Sequence, residues 1–193
     1  METNLFSELV TLLGLTGSTV LLQDLPPEVL GSFNKQTFCI CISVRSADLT
    51  ILAHESVHWL QKIYRYNKIR GVKGLEGLDP LIFNPNLTHR EAMSIVETVS
   101  VFYSSKAWEE EIPAFALEKD PQKVLLLLQE VAENLKSGRL RRPKPFRQTP
   151  LIMGMLVSGL ANIVFYSLGI NLAVVAATAI MLICTYILTT AEY

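Results

Sequence analysis

Hydrophobic and polar positions change their spacing several times along the chain, and each change predicts an element. From Asn4 to Leu13 apolar residues recur at helical spacing and stop at Gly14, so a short amphipathic helix is expected. Ser18–Gln23 and Thr37–Arg45 are rich in strand formers, with Pro26-Pro27 opening a helical turn through Leu30 between them. Ser46 and Asp48 begin a helix that runs to about Tyr66. Residues 67–87, broken by Gly71, Gly74, Gly77, Pro80 and Pro85, read as a loop that connects elements or lines a cleft. Thr88 and Glu91 have capping-box spacing ahead of a helix through Ser105. Trp108–Glu118 is acidic and expected to break at Pro113, and Asp120-Pro121 starts a leucine-faced helix over Gln122–Lys136. The last regime is different: Leu151 to Thr190 holds no charged residue.

Composition adds little until that end is considered. The chain has 193 residues and a formal net charge of −1, which suits one domain plus an appendage and gives no argument for nucleic acid as a partner. Its mean hydropathy of +0.32 comes mainly from the uncharged end. Met1-Glu2-Thr3-Asn4 lacks a basic n-region, so no signal peptide is expected. Cys39 and Cys41 share one face of a predicted strand and Cys184 lies far off. The three cysteines therefore suggest packing in a reducing compartment rather than a disulfide framework.

Candidate chemistry concentrates in Ile51–Gln61. Here His54-Glu55-x-x-His58 sits within a predicted helix, so both imidazoles share a face and can reach one metal ion. Glu55 follows the first histidine and can act on a water held by that ion. Two of the chain's three histidines and a glutamate, flanked by Ile51, Leu52, Val57, Trp59 and Leu60, would be costly to bury without a partner.

At these residues, His54-Glu55-x-x-His58-x-x-Gln61, the chain resembles the zincin metallopeptidases. The resemblance implies a zinc hydrolase fold with a Zn²⁺ cofactor and names no substrate; the expectation built on it is a small, mainly helical α+β zincin-like domain with a short sheet, acting on a peptide or protein substrate. The resemblance also implies a third ligand from a following helix and a strand near the metal helix that pairs with extended substrate, for which Thr37–Arg45 is the candidate.

Three carboxylates compete for the third ligand position: Glu91, Glu97 and Glu111. The capping box already accounts for Glu91. Glu111 belongs to the run Glu109-Glu110-Glu111, a pattern common on solvated faces. Glu97 is the only charge between Ala92 and Ser105, a setting that demands pairing, protonation or a metal, so it leads. Tyr64, Tyr66 and His89 are the candidates for stabilising an oxyanion.

Residues 138–149 read as a basic, proline-containing linker joining a domain over 1–137 to a membrane anchor over 150–193. About 20 apolar residues cross a bilayer, so the anchor is expected to be a transmembrane hairpin with helices at 150–168 and 171–189. Small-residue pairs Gly154/Ser158 and Ala173/Ala177 suit close helix contact. The basic linker predicts a cytoplasmic domain. The expectation is therefore a multi-pass, membrane-anchored zinc metallopeptidase with Glu55 as general base. The alternative is a catalytically inactive zincin-like membrane protein serving as a binding or assembly module.

Overall fold

The structure, a computed structural model, describes residues 2–73, 78–83 and 85–144. The chain divides into two units, 1–144 and 145–193. The expected hairpin lies outside the described residues, together with the second half of the basic linker. Among the described residues, no helix is long and apolar enough to cross a membrane.

The described domain is α+β. Helix α1 (Glu2–Thr16) leads into strands β1 (Thr19–Gln23), β2 (Gly31–Asn34) and β3 (Cys39–Ser43), followed by helices α2 (Leu49–Ile69), α3 (Asp79–Phe83), α4 (His89–Phe102), α5 (Trp108–Leu117) and α6 (Pro121–Lys136). The sheet has the order β1-β3-β2, with β1 parallel and β2 antiparallel to β3. Strand β3, within the Thr37–Arg45 stretch, is therefore paired on both sides and has no free edge for a substrate. That expectation is corrected: the open edges belong to β1 and β2. Strand β2 was not legible in sequence, because Gly31-Ser-Phe-Asn34 is short and half polar. It turns into β3 through Asn34, whose side-chain oxygen accepts from the amides of Gln36 and Thr37. Phe38 takes a left-handed φ of 58°, and its ring is buried against Trp59 with centroids 5.1 Å apart.

Helix α2 is the axis of the domain. Asp48 caps its start by accepting from the Thr50 amide at 2.8 Å. Thirteen of its 21 residues are buried, so it lacks an ordinary solvent face through its middle. Its apolar residues Leu52, Val57, Trp59, Leu60 and Ile63 join Leu9 and Leu13 of α1, Ile40 and Ile42 of β3, and Val124 and Leu128 of α6 in one core. Its buried polar residues each need a partner. Ser56 donates to the Leu52 carbonyl, and Trp59 donates its indole N–H to Thr16 at 2.9 Å.

Two features of the chain's later half depart from expectation. Pro113 does not break α5, which is continuous over Trp108–Leu117 and absorbs the loss of one intrahelical hydrogen bond. The first half of the basic segment is not a free tether. Gly138, at φ +74°, ends α6, and Leu140 and Pro143 are buried. Buried Asn67 grips Arg141 at both backbone groups, accepting from its N–H at 2.8 Å and donating to its carbonyl at 3.0 Å. The domain therefore extends to Lys144 rather than ending at residue 137.

Candidate metal centre

His54 and His58 lie one turn apart on the buried face of α2, with ring centroids separated by 5.1 Å and planes inclined at 73°. Helix α5 faces them. Residues 111, 115 and 118 fall at i, i+4 and i+7 on that helix, so Glu111, Phe115 and Glu118 form one stripe. Phe115 packs edge-on to the His54 ring at 4.8 Å.

Each imidazole is held at its Nδ1. His54 Nδ1 lies 2.8 Å from Glu118 Oε2, and His58 Nδ1 lies 3.3 Å from Gln61 Oε1. A carboxylate and an amide oxygen can only accept, so both rings carry their proton on Nδ1 when neutral, leaving the Nε2 lone pairs free. Gln61 is itself fixed, because its amide N–H donates to the Glu110 carbonyl at 3.0 Å. This hydrogen bond ties α2 to α5 directly beside the histidines.

Both Nε2 atoms converge on Glu111 Oε2, at 3.3 Å from His54 and 3.6 Å from His58. Neither approach has hydrogen-bond geometry, and Oε2 is fully buried without a hydrogen-bond partner among the described residues. A charged oxygen in that state needs a counter-charge, which protonated His54 supplies from 3.3 Å in the metal-free protein and which a cation held among the three donors would supply in its place. A divalent cation satisfies the requirement. Ligand bonds of about 2.0–2.1 Å in a tetrahedral site place donor atoms roughly 3.3–3.4 Å apart, close to the two separations found. The three donor atoms lie within 4.8 Å of one another. The residues present therefore fit a metal ion.

Electrostatics agree with the geometry. Burial would raise the Glu111 carboxyl, but the two histidines outweigh it and bring the pKa down to about 2. Burial would lower His54, yet Glu111 and Glu118 carry it up to about 9 in the metal-free protein. Glu55 is buried beside the same group, and desolvation raises its pKa against the opposing pull of His58 and His54. Its carboxylate rests against β2 at Gly31. A Cβ there would meet Ile51 Cγ2 at 2.6 Å and Glu55 Oε1 at 3.0 Å, so only glycine lets the strand approach α2 so closely.

The sequence-level candidates separate clearly in space. His54, Glu55 and His58 are together, and Glu111 joins them. Glu97, favoured from sequence, is exposed on α4 and is not in the group. Glu91 is occupied as expected by the capping box, accepting from the Thr88 amide at 2.9 Å. His89 is exposed at the start of α4, while Tyr64 and Tyr66 lie under Lys68 and Arg70 towards the far end of α2.

Two further residues belong to the site. Glu118 was signalled only by its two-turn spacing from Glu111. Tyr103, just past α4, packs edge-on to Phe115 with ring centroids 6.1 Å apart, and its hydroxyl is raised to about 12 by burial and by the carboxylates, Glu111 foremost among them.

No family model, curated protein or solved structure matches the chain, so the site's own geometry carries the functional argument.

Proposed function

We propose that this protein is a zinc-dependent metallopeptidase in which His54, His58 and Glu111 hold the ion and Glu55 is the general base. One observation carries the reading: a buried carboxylate oxygen without a hydrogen bond among the described residues, at 3.3 and 3.6 Å from two imidazole nitrogens whose opposite sides are already engaged. Two histidines and a glutamate are a common zinc ligand set when a further position is left for chemistry.

Zinc held there supplies Lewis acidity, making water nucleophilic near neutral pH and polarising a substrate carbonyl. The remaining roles fall to the chain. Glu55, with its pKa raised by burial, takes a proton from the attacking water and delivers it to the leaving amine nitrogen. The Tyr103 hydroxyl donates to the oxygen that gains charge at the substrate carbonyl. Glu118 and Gln61 hold the two rings in their ligating tautomer. Strand β2 lies at the sheet edge beside Glu55, so an extended peptide pairing with it would bring a peptide bond to the base.

Membrane anchorage through residues 150–193, with the domain on the cytoplasmic side, completes the proposal. Its support is the uncharged stretch 151–190 following a basic segment. Retention of the full chain in vesicles after alkaline carbonate extraction is expected, and release into the soluble fraction discards the anchor.

The chemical proposal is tested with Glu55→Gln in the purified full chain, assayed against a peptide library alongside metal analysis. The expected result is one zinc retained and turnover reduced about 10²–10⁴-fold. Undiminished turnover would remove Glu55 from the mechanism. Stoichiometric metal without turnover in the unaltered chain would favour a binding module instead.

A further inference from the structure

Away from the metal centre, two cation-rich stretches distant in sequence meet where Asn67, near the end of α2, holds the Arg141 backbone. The first group is Lys68, Arg70 and Lys73, all exposed, at and beyond the end of that helix. The second is Lys136, Arg139, Arg141, Arg142 and Lys144, also exposed. Asn67 joins the two groups by gripping the Arg141 backbone across 74 positions of sequence. Neither 67–73 nor 134–144 contains an acidic residue, and Lys68 engages Tyr64 and is acted on by the carboxylates of Asp79 and Glu109, which lie outside both stretches.

Apolar side chains are exposed among these cations. Arg142 donates to the Leu15 carbonyl, and Leu15 is 56% exposed. Ile69, between Lys68 and Arg70, is 65% exposed. Large aliphatic side chains framed by lysines and arginines match a headgroup boundary, where cations meet lipid phosphates and apolar groups enter the acyl edge.

We infer that this surface is a docking face for an anionic lipid bilayer, holding the domain against the membrane to which its C-terminal segment is tethered. The inference rests on the proposed anchor. What favours a bilayer over another polyanion is the sequence beyond the surface: Lys144 is followed within seven residues by the uncharged run 151–190. Asn67 also pins Arg141, at the start of the segment leading to that run, to α2.

The test uses the full chain reconstituted into phosphatidylcholine vesicles with or without phosphatidylglycerol. Outward-facing molecules are treated with a water-soluble amine-reactive label, and modification is read at each lysine by mass spectrometry. Labelling of Lys68, Lys73, Lys136 and Lys144 is expected to slow about tenfold in the anionic vesicles, with Lys106 and Lys119 unchanged. High salt should restore the rates. The triple variant Arg139→Glu, Arg141→Glu, Arg142→Glu should lose the protection of Lys68 and Lys73 while staying in carbonate-washed vesicles.

Equal labelling in both vesicle types, with the chain carbonate-resistant, overturns the docking face and leaves the anchor standing. Protection of the same lysines by added single-stranded RNA in neutral vesicles reassigns the surface and overturns it as well. Release by carbonate with lipid-dependent protection intact sinks the anchor and supports the surface.

Discussion

Helices α4 and α5 pose the same question and answer it oppositely. Each follows the histidine helix, each carries glutamates, and either could supply a third ligand. On α4, Glu97 is the single charge in an apolar run, yet the apolar residues near it are themselves in solvent: Met93 is 48% exposed, Val101 75% and Phe102 74%. The helix buries Ile95 and Val99 instead, so Glu97 lies on its wet side and has no need of a partner.

On α5, three consecutive glutamates look interchangeable and are not. Successive residues of a helix point about 100° apart, so the run is divided among three surroundings. The Glu109 side chain is 80% exposed, Glu110 pairs with Lys35 and Arg65, and Glu111 turns inward to the histidines. The neighbours of Glu111 explain its direction. Pro113 and Ala114 are buried, and Glu110, gripped by Lys35 and Arg65, sets the rotation of the helix about its axis. A lone charge in an apolar segment is a sound signal only if that segment is buried. Burial here is decided by tertiary packing that sequence spacing does not contain.

The largest effect that would sharpen the contrast concerns Glu118, which acts on the site only from α5. Glu118→Ala is expected to weaken zinc affinity about 10–100-fold by releasing the His54 ring, measured by competition with a chromogenic chelator. Unchanged affinity would show that the 2.8 Å contact does not orient the ring.

A second effect is pH dependence. Below about 9 the metal-free protein carries a proton on His54 that zinc must displace, so apparent affinity should rise roughly tenfold per pH unit up to about that value and then flatten. The same raised pKa, against an ordinary 6.5, stabilises the metal-free fold fully below 6.5, and that contribution is lost as pH rises through about 9. Its thermal midpoint should fall across that window. A midpoint independent of pH there would contradict the ion-paired His54.

The smallest effect belongs to α4. Thr88→Ala removes the side-chain acceptor of the capping box and should cost about 1 kcal/mol of stability by denaturant unfolding. Zinc content should not change. A loss of metal on that substitution would mean that α4 shapes the centre after all.

How much of this could be read in the sequence follows from the range of the forces involved. The histidine helix, the Asp48 cap, the Thr88–Glu91 capping box and the Asp120-Pro121 helix start depend on residues within one turn, and all were legible. The placement of Glu111, Glu118 and Tyr103 depends on how α5 and the end of α4 meet α2, which no local pattern encodes. Strand β2 fell between these cases. Gly31 was visible as a residue, but its use as the point where a strand closes on Glu55 appears only once both elements are in place.

Metal stoichiometry in two conservative variants, Glu111→Gln and Glu97→Gln, tests the central claim most directly. With the full chain purified in parallel and each variant's fold checked by circular dichroism, zinc is measured by mass spectrometry after dialysis. Glu97→Gln should keep one zinc per chain, and Glu111→Gln should fall to a small fraction of that. Full zinc in Glu111→Gln, or its loss from Glu97→Gln, would contradict the account.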